Sequence, residues 1–137
     1  MKRSAKAVWK GTVKDGNGVL TTQSTTLNET QYSFKSRFEE GVGTNPEELL
    51  AAAHAGCFTM KTSALLTEAG YIPETLETDC KISLVDGKIT LSELTLTAKI
   101  PGISEEEFQK IAKDAKENCP VSQAFSFEKT LTATLVS

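Results

Sequence analysis

Histidine is almost missing from this chain, with His54 the single one among 137 residues. Arginine occurs only at Arg3 and Arg37, and cysteine only at Cys57, Cys80 and Cys119. Neither CxxC nor HxxxH spacing is present, so no metal site is expected. Three cysteines is an odd number, which fits poorly with a secreted disulfide framework. The net charge of −3 and the lack of a dense Lys/Arg stripe argue against a nucleic-acid partner. No run approaches the roughly 20 apolar residues of a membrane helix, so no membrane partner is expected either. The start, MKRSAKAVWKG, has basic residues but lacks the apolar segment of a secretory signal behind them. These absences predict a cytoplasmic protein, a setting in which a disulfide is more often catalytic or regulatory than structural.

What is present reads as one domain over 1–137, long enough for a hydrophobic core. Segments around Ala5–Lys14, Val19–Gln23 and Gln31–Phe38 are rich in Val, Thr and aromatics and predict strands, with DGNG turning between the first two. Asn45, Pro46 and Glu48 then announce a helix by cap, first position and capping-box acid. Leu49, Ala53, Cys57, Met60 and Ala64 recur at helical spacing and predict its buried stripe, and Gly70 supplies a stop. Thr75 to Asp86 alternates, Asp86-Gly87 suits a hairpin turn, and a parity switch near Ser92-Glu93 in the return run predicts a bulge or two short strands. Ser104 as cap, Glu107 and the Ile103/Phe108 staple begin a second helix, whose stripe of Phe108, Ile111, Ala112 and Ala115 extends to Cys119 before Pro120. The final run alternates through Phe125, Phe127, Leu131, Ala133 and Leu135. The resulting order is β-β-β-α-β-β-α-β, an α+β domain.

Cys57 and Cys119 are the residues with most chemical potential. A thiolate attacking a peroxide becomes a sulfenic acid, which a second thiol can condense with to give a disulfide. A buried cysteine is ordinarily a small apolar residue whose pKa rises in hydrocarbon, so reactivity needs a positive group nearby. Lowering a thiol pKa by about two units takes roughly 2.7 kcal/mol of preferential thiolate stabilisation. A guanidinium such as that of Arg37, in SFKSRFEEG, can supply it or can simply be an exposed edge charge. His54 precedes Cys57 by three residues, which raises a thiol hydrolase dyad, although a satisfied structural histidine fits one helical face better. Glu47 and Glu48 suit the first turn of a helix, and either can also orient Arg37. Ten helical residues span about 15 Å, so Glu47 cannot itself reach Cys57 along a straight helix. Cys80 reads as core.

The motifs RFEEGVGTNPEELLAAAHAGCF, Arg37 to Phe58, and NCPVS, Asn118 to Ser122, resemble the OsmC/Ohr family of thiol peroxidases, in its OsmC (osmotically inducible protein C) branch. The element order agrees across nearly the whole chain. The resemblance implies an intertwined α+β homodimer, helices packed on antiparallel sheets, with active sites at the subunit interface. It implies reduction of organic hydroperoxides, lipid-derived ones included, in oxidative or osmotic stress defence. Cys57 would be the peroxidatic and Cys119 the resolving cysteine, joined in a Cys57–Cys119 disulfide. Arg37 would stabilise the Cys57 thiolate and the leaving oxygen, and Glu47 would hold Arg37. An interface site would also answer the 15 Å objection. Leu50, Phe58 and Phe125 are apolar neighbours that would favour alkyl peroxides. No metal or cofactor is implied; an external dithiol, with lipoyl groups as the donor, would reopen the disulfide. The contrasting expectation is a hydrophobic-ligand binding or stress-associated structural dimer with inert thiols. The loop carrying Arg37, flanked by Gly41 and Gly43, would swing in and out with redox state.

Overall fold

The computed structural model describes residues Met1–Ser137, which fall into two compact units, Met1–Leu49 and Leu50–Ser137. In the first, β1 (Ala5–Lys10), β2 (Asn17–Thr22) and β3 (Thr30–Tyr32) form an antiparallel sheet in that order. Trp9, Gly18 and Tyr32 lie in register across the three strands. The Trp9 and Tyr32 rings meet edge-on at 5.3 Å over the middle strand. Only glycine permits this, because a Cβ at position 18 would lie 2.5 Å from the Trp9 ring and 2.7 Å from that of Tyr32.

The third strand is shorter than its sequence pattern predicts. It stops at Tyr32, and α1 (Phe34–Phe38) follows. The Ser33 hydroxyl accepts from the Ser36 amide (3.3 Å) while the Ser33 amide donates to Ser36 Oγ (2.7 Å), a capping box built from two serines. Phe34 and Phe38, one helical turn apart, pack at 4.8 Å between ring centroids. Arg37 therefore sits on a short helix rather than at a strand end.

Helix α2 (Pro46–Glu68) starts as its cap residues predict, with the Glu48 amide donating to Asn45 Oδ1 at 2.8 Å. Its inward stripe differs from expectation. His54, Phe58, Thr62 and Leu66 are fully buried at four-residue spacing, whereas Ala53 and Ala64 are exposed, Met60 is 76% exposed and Cys57 is half-buried on the flank. Alanine, glycine and methionine made the solvent face look as apolar as the inner one. This helix also has the length and composition to cross a membrane, with a mean hydropathy of 1.2 over 18 residues.

The second unit continues with β4 (Thr75–Val85), β5 (Lys88–Lys99), α3 (Glu105–Asn118), α4 (Pro120–Ala124) and β6 (Glu128–Val136). Strands β4 and β5 form the expected antiparallel hairpin. Ser83 faces Leu91 but Leu84 faces Ile89, so the bulge lies at Thr90, just before the anticipated parity switch. Strand β6 joins β5 in parallel, so this sheet is mixed and the antiparallel expectation is corrected there. A parallel neighbour needs a crossover, and α3 with α4 provides it. Ser104 Oγ caps α3 by accepting from the Glu107 amide at 3.2 Å. Leu94, Leu96 and Ala98 from β5, Phe108, Ala112 and Ala115 from α3, and Phe58 and Leu66 from α2 make one core.

Candidate active site

The four residues singled out by sequence resolve into two pairs, one in each unit. In the first, Arg37 Nε donates to Glu47 Oε1 at 2.9 Å. Asn45 Nδ2 donates to the Ser36 carbonyl at 2.8 Å, fastening α1 to the start of α2 and so setting the distance between the two charged residues. The Glu47 side chain is 11% exposed, that of Arg37 42%. The carboxylate engages the guanidinium through Nε alone, which leaves the terminal nitrogens available as donors. Glu47 Oε2 is buried without a hydrogen-bond partner. The guanidinium lies 5.1 Å over the Phe38 ring. A cavity of about 260 Å³ beside it is lined by Trp9, Tyr32, Phe34, Phe38 and Pro46 together with Arg37.

The loop from Arg37 to this helix is shaped by Gly43, whose φ of +103° suits glycine alone. A side chain there would also strike the Gln31 carbonyl at 2.1 Å, the same oxygen that accepts from the Thr44 amide at 2.8 Å.

The second pair is Cys57 and Cys119, both free thiols. Cys119 is fully buried at the joint between two helices: its amide ends α3 on the Ala115 carbonyl (3.0 Å), and its side chain begins α4. The thiol donates to Ser122 Oγ at 3.1 Å, and Sγ accepts from the Ser122 amide at 3.4 Å. Pro120, read from sequence as a stop, is also the first residue of α4. Cys57 packs against the core that contains Cys119. Burial pushes the Cys57 thiol pKa up, and the neighbouring Cys119 thiol pushes the same way; the Val121 amide and Lys61 oppose them.

His54 is a satisfied core histidine rather than a partner of Cys57. Its Nδ1 meets Ser92 Oγ and its Nε2 meets Ser122 Oγ, both at 2.6 Å, and the Phe125 ring packs edge-on at 5.0 Å. Burial and the Lys129 charge lower its pKa, holding the ring neutral. Cys80 lies half-buried with Sγ 3.2 Å from Ser92 Oγ, and burial raises its pKa. Phe58 is sealed in the core, so it cannot line a substrate path. Sequence reasoning missed Ser92 and Ser122. The first occupies an inward position of β5, the second the cap spacing after Cys119; a polar residue in either place is the signal that was available.

Residues 39–134 match the family model described as OsmC-like protein. The chain is 42% identical over 133 residues to Peroxiredoxin OsmC of Escherichia coli (strain K12), covering 94% of this chain and 93% of that protein. It is 30% identical over 98 residues to the Organic hydroperoxide resistance protein of Xanthomonas axonopodis pv. citri (strain 306), covering 69% and 68%. Among solved structures, an organic hydroperoxide resistance protein from Elizabethkingia anophelis, with thiocyanate bound, superposes with a TM-score of 0.72 at 25% identity, covering 99% of each chain.

Proposed function

Because this chain belongs to the OsmC-like protein family, we infer that it is a thiol-dependent peroxidase that reduces organic hydroperoxides to alcohols. The observation that carries this reading is the placement of Cys57 and Cys119 as free, neighbouring thiols, one half-buried and one sealed. In the proposed cycle the Cys57 thiolate attacks the terminal peroxide oxygen. The O–O bond breaks, an alkoxide leaves and takes a proton, and Cys57 becomes a sulfenic acid. Cys119 then attacks the Cys57 sulfur; a disulfide forms and the sulfenic oxygen departs as water. Arg37, held by Glu47, is assigned to the Cys57 thiolate and the alkoxide, a role that its fixed charge and free terminal nitrogens support.

The reading extends to a homodimer in which active sites form at the interface, and to reopening of the disulfide by an external dithiol of the lipoyl kind in the cytoplasm. Support for a partner copy comes from α2, whose outward face of Ala52, Ala53, Gly56, Met60 and Ala64 is apolar and exposed. The aromatic cavity beside Arg37 supports an organic rather than a fully polar substrate. One observation favours the alternative of a ligand-binding protein with inert thiols: the raised pKa of Cys57.

A single experiment separates the two. Treatment with one equivalent of an alkyl hydroperoxide, followed by mass mapping, is expected to yield a Cys57–Cys119 bond. Cys57→Ser is expected to abolish peroxide consumption, and Cys119→Ser to allow one oxidation event without thiol-linked turnover. Retained turnover in Cys57→Ser, or a bond to Cys80, would overturn the peroxidase assignment.

A further inference from the structure

A continuous line of buried polar atoms runs from Cys119 to Cys80. Cys119 Sγ meets Ser122 Oγ (3.1 Å), Ser122 Oγ meets His54 Nε2 (2.6 Å), His54 Nδ1 meets Ser92 Oγ (2.6 Å), and Ser92 Oγ meets Cys80 Sγ (3.2 Å). His54, Ser92 and Cys119 have no exposed surface and Ser122 has 1%. Three elements besides the Cys119 joint contribute: α2 brings His54, β5 brings Ser92 and β4 brings Cys80.

The directions of these bonds follow from the donor inventory. If the Cys119 S–H donates to Ser122, the one hydroxyl hydrogen of Ser122 is left for His54 Nε2. A neutral imidazole that accepts at Nε2 carries its hydrogen on Nδ1, which then donates to Ser92, whose hydroxyl turns to Cys80. All groups are satisfied in a single sense, and the sense leads away from Cys119.

We propose that His54, acting through Ser122, receives the Cys119 proton when Cys119 closes the disulfide onto oxidised Cys57. This rests on the peroxidase reading above and assigns the proton path of its second step. A sealed thiol cannot lose its proton to bulk water, and a buried thiolate left beside its own proton gains nothing as a nucleophile. Ser122 is the group that touches the reacting thiol. It passes its own hydrogen to Nε2 as it takes the one from Cys119. The Cys119 sulfur attacks the Cys57 sulfur, the S–S bond forms and the S–O bond breaks. Hydroxide leaves with the electron pair of that bond, and the proton held on His54 returns to make it water. The oxidant is the hydroperoxide consumed in the first step. His54 is thus a positioning residue with a proton-accepting role. The titratable groups around it are Cys80 on β4, Lys129 on β6 and, through Ser122, Cys119. Lys129 Nζ also ties down α4 by donating to the Ser122 (3.0 Å) and Phe125 (2.7 Å) carbonyls.

The test is rapid-quench oxidation of the full chain by one equivalent of tert-butyl hydroperoxide. A 1,3-dione traps the Cys57 sulfenic acid, mass spectrometry counts the Cys57–Cys119 bond, and the series spans pH 5.5 to 8.5. In Ser122→Ala the ratio of disulfide closure to sulfenic acid formation is expected to fall about 100-fold, the usual contribution of a positioned base. The closure rate of the unaltered protein should drop at acid pH as His54 takes up a proton. In Ser122→Ala and His54→Gln the inflection that His54 protonation gives this profile should disappear. Ser122→Thr, which keeps a hydroxyl, should restore most of the rate. Should His54→Gln not fold, Ser122→Ala carries the test alone, since it leaves the histidine in place. Closure at the unaltered rate, or slower closure with an unchanged pH profile, would show a merely structural network and overturn the proposal. Absence of sulfenic acid or of the Cys57–Cys119 bond in the unaltered protein would overturn the peroxidase reading and this proposal together, a result distinguishable from the first.

Discussion

At Cys57 the surroundings within its own unit oppose the charge that peroxide chemistry needs. Burial is the largest influence and raises the pKa, and the adjacent Cys119 thiol adds to it. The Val121 amide and Lys61 only partly offset them. A reactive Cys57 therefore needs a stronger cation, and Arg37 is the candidate whose charge no pH in the working range removes. If the guanidinium lowers the thiol pKa by about two units, Arg37→Gln will slow the reaction of Cys57 with an alkyl hydroperoxide at pH 7 by about 100-fold. Stopped-flow rates taken to pH 9.5 should show the gap narrowing as hydroxide ionises the thiol. Identical peroxide rates for the two proteins across this range would remove Arg37 from the mechanism. Glu47→Gln keeps the shape of the side chain but not its charge, and Oε2 already lacks a partner. A smaller loss, about tenfold, is expected in the same assay if its part is to hold Arg37.

Among the elements, those with local chemistry were legible and those set by packing were not. Ser104 at the start of α3, Asn45 and Pro46 at the start of α2 and the Asp86-Gly87 hairpin stand where their residues predict. The inward face of α2 did not, because Ala53, Met60 and Ala64 look as apolar as Phe58 and Leu66 until a sheet covers one side. The parallel pairing of β6 is likewise invisible in an alternating run, which fixes faces but not direction. The pairing of Arg37 with Glu47 and the closeness of Cys57 to Cys119 follow the motifs, whereas the Ser92 and Ser122 contacts arise only because three elements converge on His54. That convergence has a consequence for stability. Burial and Lys129 hold the His54 pKa below its ordinary 6.5, so the folded state binds its proton less readily than the unfolded chain. The contribution of the neutral ring is complete above pH 6.5 and is lost as pH falls through the folded value. Unfolding free energies from urea titrations between pH 7.5 and 5.5 should decline in the unaltered protein, by up to about 1.4 kcal/mol for each pH unit below 6.5. A folded His54→Gln should be flat in that window. An equal slope in both would place the acid sensitivity elsewhere.

For the whole molecule the outward face of α2 is an apolar surface left uncovered within one chain. Met60 is 76% exposed, with Ala52, Ala53, Gly56 and Ala64 beside it on a 23-residue helix. Nothing lies within 4 Å of where a Gly56 Cβ would be, so this stretch is open and smooth enough for a second backbone to approach closely. In the proposed homodimer a second copy of the chain would meet that requirement, because an isologous contact sets the same apolar face against itself. Burying one methionine side chain stabilises by about 1.5–3 kcal/mol, and two-fold symmetry counts it twice. Met60→Glu removes both contributions and brings two carboxylates towards the axis. The dimer dissociation constant is therefore expected to rise by more than about 100-fold. Sedimentation equilibrium should report a monomer at micromolar concentration, circular dichroism an intact fold, and peroxide turnover a fall that follows the loss of dimer. An unaltered protein that sediments as a fully active monomer would leave the exposed face of α2 without this partner and would require Arg37 to reach Cys57 within one chain.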